Sequence, residues 1–283
     1  MSDRQQFLVH QIYYDESSRR TLDPGFIPLD NTSNERPDWF EFWVIRRFLT
    51  DTPLREDAWY GFLSPKFHAK TGLDSNQVFD FLQRFSAQAD VALFSYAWDQ
   101  IAYFLNPFEQ GEFWHPGLLD LSQRYFSTIG IDLDLKNLVT HSLTTVFSNF
   151  IVAKAEFWRR WLGIANALFE LVERGDCGLS AEIGSPTSYV SNRSPFSMKT
   201  FIQERFASVL LIQGTFRVVA LDLSYNGPIF THLFRDEFRT RRLLQACDLL
   251  KQQYTASGDR DYIHMYRKLR ALVPTTSIAT APR

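Results

Sequence analysis

The stretch "AWYGFLSPKFHAKTGLDSNQVFDFLQRFSAQADVALFS" (58–95) sets the class of fold. It opens on "AWYGFLS" (58–64), an apolar run of strand length bounded by a turn signal, which reads as a buried strand. A basic turn, "PKFHAKTGL", follows. In "DSNQVFDFLQRF" (74–85) Asp74 stands where a helix cap belongs, and apolar residues recur at helical spacing. "DVALFS" (90–95) returns to strand composition. Strand, helix and strand in this order predict an α/β layer with parallel strands, because a crossover helix brings the chain back in the same direction.

The pattern extends both ways. "FLVHQIYY" (7–14) is aromatic, branched and alternating, so it reads as a strand. The polar segment 15–37 is long for a loop inside a compact domain, and such loops are functional or disordered. Its "GFIPL" argues that it folds back on the body. "DWFEFWVIRRFL" (38–49) follows Pro37 with helical spacing. Further on, "PGLLDLSQRYF" and "LKNLVTHSLTTV" read as helical and "FSNFIVAK" (147–154) as a strand. "AEFWRRWLGIANALFELVER" (155–174) is a long amphipathic helix. Residues 175–198 are rich in Gly, Ser and Pro, the composition of a mobile lid. "KTFIQERFASVLLIQG" (199–214) reads as one helix, "FRVVALDLS" (216–224) as a strand, and the last 50 residues as two helices. The expectation is one α/β domain over 1–224, with a mostly parallel central sheet flanked by helices, and a helical C-terminal appendage over 225–283.

Composition narrows the function. The chain of 283 residues has an ordinary 45% apolar and 22% charged content, but 26 Phe, 11 Tyr and 7 Trp make it aromatic-rich. Such rings fill cores and also line pockets that stack on sugars or bases. A net charge of −2 gives no electrostatic reason for nucleic-acid binding. Cys177 and Cys247 have neither metal-ligand spacing nor a disulfide framework, which points to a reducing, cytoplasmic setting. There is no signal-peptide pattern and no run long enough to span a bilayer, although the C-terminal helices, with "FRTRR", could dock peripherally on a membrane or a partner. G-x-S-x-G, G-x-G-x-x-G and H-E-x-x-H are all missing.

Candidate chemistry gathers in four places. After the strand at 58–64, Ser64, Lys66, His68 and Lys70 sit where α/β sheets bind ligands, and the cations suit a phosphate or diphosphate. Asp30, Asn31 and Asn34 either cap a helix or reach a nucleotide's ribose or base. Asp99 and Gln100 lie at a strand-to-helix junction, where Asp99 serves as a cap, a metal ligand or a general base. In "NPFEQGEFWHPG" (106–117), Asn106, Glu109, Gln110, Glu112, Trp114 and His115 crowd one segment whose Pro and Gly oppose regular structure. A carboxylate there would take the proton of an acceptor hydroxyl, with Trp114 or His115 against a sugar; spacing does not choose between Glu109 and Glu112. The D-x-D tripeptides at Asp132–Asp134 and Asp259–Asp261 lie away from sheet-strand ends, so metal dependence stays open.

Taken together, "IYYD", "FIPLDN", "WYGFLSPKFHAKTGL", "DVALFS", "NPFEQGEFWHPG", "SNFIVAKAEFWRRWL" and "FIQERFASVLL" resemble bacterial surface-polysaccharide glycosyltransferase-like proteins. More remotely, their order is similar to the galactofuranosyltransferase domains of O-antigen polymerases. The matching positions are Asp30, Asn31 and Asn34, then Lys66, then Asn149, Phe150, Ile151, Lys154 and Phe157, and finally Glu204 and Arg205, with coverage over roughly 7–213. The resemblance implies a GT-A-like domain that takes a UDP- or GDP-linked sugar and a glycan or lipid-linked acceptor. Combined with the residue reading above, a transferase would take donor contacts from Asp30, Asn31, Ser64, Lys66 and Lys70, and its base from Asp99, Glu109 or Glu112. Asn106, Gln110, Trp114, His115, Asn149, Glu204 and Arg205 would contact substrate, or, for Glu204 and Arg205, form a structural ion pair. The chain departs from the family in lacking D-x-D at the expected strand end, which leaves Mg²⁺ or Mn²⁺ open. A non-catalytic binding protein on the same fold is the alternative expectation.

Overall fold

The computed structural model describes residues 6–187 and 196–276. The chain opens with β1 (Phe7–Tyr13), α1 (Glu16–Arg20), β2 (Ile27–Asp30) and α2 (Phe40–Asp51). β3 (Trp59–Leu63), α3 (Phe67–Thr71), α4 (Ser75–Phe85) and β4 (Val91–Leu93) follow. Three helices come next, α5 (Trp98–Tyr103), α6 (Pro107–Trp114) and α7 (Leu118–Thr128), then β5 (Ile151–Lys154) and α8 (Ala155–Arg174). α9 (Gly178–Gly184), β6 (Pro186–Thr187), β7 (Phe196–Ser197), α10 (Met198–Gln203) and α11 (Phe206–Ile212) precede β8 (Val218–Ala220). α12 (Phe238–Ser257) and α13 (Arg260–Arg270) close the described chain.

Two compact units emerge. The first gathers the described residues up to 95 with 146–169 and 206–221; the second holds those of 96–145, 170–205 and 222–276. Residues 225–276 thus share the second unit with α5, α6, α7, α9 and α10.

The first unit is an α/β layer around a six-stranded sheet in the order β2-β1-β3-β5-β4-β8. β1 runs parallel to β2 and β3, and β4 parallel to β8. β5 is antiparallel to both of its neighbours, so the sheet is mostly parallel. Every residue of β3 is buried, which explains its unbroken apolar run, since strands covered on both faces do not alternate. Gly61 is required there: a Cβ would meet Val152 Cγ2 at 2.9 Å. Trp158 of α8 donates its indole N–H to the Tyr60 carbonyl (2.9 Å) and sets its ring edge-on to Phe62. His10 of β1 stacks on Phe62, and burial pushes its pKa down to about 4, so it packs as a neutral ring.

The second unit packs around Trp98, Phe104, Leu244, Cys247 and Tyr266. Lys251 is fully buried there; its ammonium donates to the carbonyls of Ile101 (2.5 Å) and Phe104 (2.6 Å), tying α12 to the end of α5.

Several local expectations are corrected. "NPFEQGEFWHPG" is not irregular, because residues 107–114 form α6. Pro107 occupies its first turn, where proline costs no hydrogen bond, and Asn106 caps it by accepting from Phe108 N and Glu109 N. "LKNLVTHSLTTV" is a string of turns, not a helix. Its threonines and serine bond locally, with Thr145 Oγ1 donating to Thr140 Oγ1 (2.7 Å) and Ser142 Oγ to Asp248 (2.7 Å). The basic turn after β3 carries α3, the helix expected over 199–214 breaks at Glu204–Arg205, and the strand expected from 147 starts at Ile151. The lid segment holds α9 and the β6–β7 pair, and its residues 188–195 lie outside the described residues.

Candidate functional site

In open α/β sheets, ligands bind beyond the carboxyl ends of the strands where the strand order reverses. Here the chain leaves β1 towards β2 on one side, while β3 lies on the other. The ends of β1 and β3 therefore flank the switch point of the first unit. β5 is antiparallel, so its amino end, residues 148–150, reaches the same edge. Phe94 N donates to the Phe150 carbonyl there (2.9 Å).

The sequence candidates of this unit come together at that edge. Asp30 ends β2; its carboxylate accepts from Thr32 N (2.7 Å) and from the Tyr13 phenol, contacts that hold it below the usual carboxylate range. Asn31, 2% exposed, donates its backbone N–H to the Tyr13 carbonyl (2.9 Å). Its side-chain Oδ1 has no partner among the described residues. Ser64, buried after β3, accepts from Lys66 N (3.2 Å), and its carbonyl accepts from Gln11 Nε2 (3.3 Å). Lys66 is exposed and its ammonium has no partner among the described residues. Lys70, half-buried, donates to Ser148 Oγ (3.0 Å) and lies 5.6 Å from the Phe150 ring.

Ser148 and Asn149 form an unusual pair. Both are left-handed, with φ of 56° and 52°. Consecutive non-glycine residues in this region are strained, and such strain concentrates at ligand sites. Asn149 is 8% exposed, and its Oδ1 also lacks a partner among the described residues. The edge thus offers two cations and two buried amide oxygens whose hydrogen-bonding capacity is unused.

Beside it opens a hollow of about 590 Å³ lined by Gln11, Asp23, His68, Asp74, Ser75 and Asn76 among others. Asp23 accepts from Ser75 N (2.7 Å) and Ser75 Oγ (2.6 Å), which pins the loop after α1 to the start of α4. His68 Nδ1 faces the Leu73 carbonyl at 3.0 Å, which requires the proton on that nitrogen. Apart from His68, sequence reading assigned no functional role to these residues. Their pairing joins segments about 50 positions apart, and no local signal reports it.

The remaining candidates, in the second unit, are tied into structure. Glu112 accepts from Gly117 N (2.9 Å) and Leu119 N (2.9 Å), capping α7. Glu109 accepts from Leu105 N and pairs with Arg270 (2.8 Å). Asn106 donates to the carbonyls of Leu135 (3.0 Å) and Leu138 (2.7 Å). Gln100 Oε1 accepts from both Gln110 Nε2 (2.8 Å) and Trp114 Nε1 (3.2 Å). Arg205, buried, donates to the Pro107 carbonyl (2.9 Å) and Gln110 Oε1 (2.9 Å), while Glu204 lies 4.0 Å away. His115 stacks on Phe201 with centroids 3.6 Å apart, and burial and the Arg205 charge push its pKa down to about 4.

Asp99 stands apart. It is 0% exposed, Thr231 N donates to its Oδ2 (3.0 Å), and its Oδ1 has no partner among the described residues. Burial pushes its pKa up to about 6. In the D-x-D tripeptides, Asp134 accepts from Asn137 Nδ2 and Asp259 caps α13. Among the described residues, no group of three or more His, Cys, Asp or Glu is placed to hold a metal ion. No described helix is long and apolar enough to cross a membrane.

Comparison with family models, curated proteins and solved structures found no match to the chain.

Proposed function

We propose that the protein is a glycosyltransferase that moves a sugar from a UDP- or GDP-linked donor to a glycan or lipid-linked acceptor in bacterial surface-polysaccharide synthesis. The observation that carries this reading is the edge of the first unit. Lys66 and Lys70 are cations suited to a diphosphate, and beside them lie buried amide oxygens, on Asn31 and Asn149, able to accept from ribose or sugar hydroxyls. The six-stranded, mostly parallel sheet is compatible with the GT-A-like domain that the sequence resemblance implies.

In this reading the lysines stabilise the leaving diphosphate as the glycosidic bond breaks, and a carboxylate takes the acceptor's hydroxyl proton. Mg²⁺ or Mn²⁺ is tested directly rather than assumed. A donor-hydrolysis screen over common UDP- and GDP-sugars, with and without each ion, checks the reading; release of nucleoside diphosphate from at least one donor supports it. If no donor is turned over in any condition, transferase activity is ruled out.

A second reading, a non-catalytic protein that binds a nucleotide sugar, is favoured by one observation. Glu112 and Glu109 are engaged in a helix cap and an ion pair. Donor binding without turnover would select it.

A further inference from the structure

The charge of the chain is unevenly spread. Residues 225–272 hold nine Lys or Arg against five Asp or Glu, whereas the whole protein carries −2. The same segment holds Tyr225, Phe230, Phe238, Leu249, Met265 and Leu272, six of the ten exposed large apolar residues among those described. Basic charge and exposed apolar side chains concentrated together are the two components of an interfacial binding surface.

They meet in atomic contact at the start of α12. Phe238 is 75% exposed and Tyr225 is 63% exposed. The Arg242 guanidinium lies over both rings, 5.1 Å from the Phe238 centroid and 5.9 Å from that of Tyr225. Arg235 and Arg239 are exposed, and their guanidinium groups make no hydrogen bond among the described residues. The nearby acids do not neutralise them equally. Asp236 is committed to Arg241 at 2.5 and 2.7 Å, and Asp222 caps its own turn at Ser224 N, which leaves Glu237 as the exposed countercharge.

We propose that this patch docks the protein on an anionic lipid surface, with Phe238 and Tyr225 entering the headgroup layer and Arg235, Arg239 and Arg242 pairing with lipid phosphates. Tyr225 suits the membrane–water boundary because its ring leaves water while its hydroxyl stays hydrated, and Phe238 adds a wholly apolar ring to enter the layer. Planar guanidinium groups bind phosphate in a fork, and here one of them is already held against the rings that would insert. The protruding Leu249 and Met265 add apolar area, which contributes to a lipid interface and not to phosphate-backbone recognition by a polynucleotide. This inference is independent of donor chemistry, because donor binding is measured without lipid.

The test is flotation of the full chain with phosphatidylcholine vesicles, with and without phosphatidylglycerol, at low and high salt. Wild-type protein floats with the anionic vesicles at low salt and is released by salt or by leaving out phosphatidylglycerol. R239E/R242E and Phe238→Ser, both at exposed positions that leave the fold intact by circular dichroism, reduce the bound fraction by about tenfold or more. Equal binding to neutral vesicles, undiminished binding by both variants, or no flotation overturns the proposal. So does binding of a single-stranded oligonucleotide through the same arginines with vesicles left unbound.

Discussion

Lys70 and Ser148, separated by 78 positions in sequence, are joined by a 3.0 Å hydrogen bond at the edge where β3 ends and β5 begins. The bond holds an ammonium over a serine whose backbone is left-handed, next to an asparagine in the same conformation. Lysine, serine and asparagine together form a polar constellation at the rim of the first unit's sheet. Replacing Lys70 by Ala should cost little stability, because a half-exposed contact of this kind contributes only about 1 kcal/mol or less. It should weaken UDP or GDP binding by about tenfold, the loss of one charge-assisted contact. Calorimetric titration alongside a melting curve reads both effects.

The strain at Ser148 supplies a second, opposite signature. Ser148→Gly removes a Cβ from a backbone conformation that glycine adopts freely. Thermal unfolding should show a gain or an unchanged midpoint, up to about 1 kcal/mol, while nucleotide affinity falls with the loss of the Lys70 partner. A variant destabilised by more than that would show that the serine hydroxyl, rather than the strain, dominates the site.

Glu112 distinguishes structure from chemistry. Its carboxylate accepts from Gly117 N and Leu119 N at the start of α7. Glu112→Ala should lose about 1 kcal/mol, the usual worth of a cap, whereas Glu112→Gln keeps an accepting oxygen and should unfold near the wild-type temperature. Turnover by Glu112→Gln within a few-fold of wild type is expected. Its abolition with the fold intact would make Glu112 the base after all.

Asp99 predicts a pH dependence with a definite sign. Its folded pKa, about 6, lies above its ordinary value of 3.8. The folded state therefore binds its proton more tightly than the unfolded chain does. That stabilisation is complete below about pH 3.8 and is lost as the pH rises through about 6. Asp99→Asn keeps an oxygen for Thr231 N and removes the buried charge. Its stability relative to wild type should therefore rise between pH 4 and pH 8, by up to about 3 kcal/mol. Equal pH profiles for the two proteins would show that folding leaves the Asp99 pKa at its ordinary value. If Asp99 is also the base, transfer rises through the same pH window.

Local signals carried much of this architecture. Asp74 caps α4 as its position suggests, with Gln77 completing the box, and α8 spans the 155–174 of its amphipathic pattern. In the segment 106–117, proline and glycine read as breakers of regular structure, whereas the fold makes 107–114 of it α6. The Asn106–Pro107 pair is equally a helix start, and Gly111 is needed where a Cβ would meet Leu118 at 2.1 Å. The antiparallel insertion of β5, the Asp23–Ser75 pairing and the Gln100 contacts depend on residues far apart in sequence. No periodicity within one segment reports them. The candidate acids were legible as polar residues in an apolar setting, but their partners in the fold were not.

The central claim is that the Lys66–Lys70 turn and the Ser148–Asn149 corner bind the diphosphate and sugar of an activated donor. Calorimetric titration of the full chain with UDP- and GDP-sugars, comparing wild type with Lys66→Ala/Lys70→Ala, tests it most directly. Saturable binding of at least one donor by the wild type, weakened by about a hundredfold in the double variant, is the predicted result. Absence of binding to every donor, or the same affinity in a folded double variant, would contradict it.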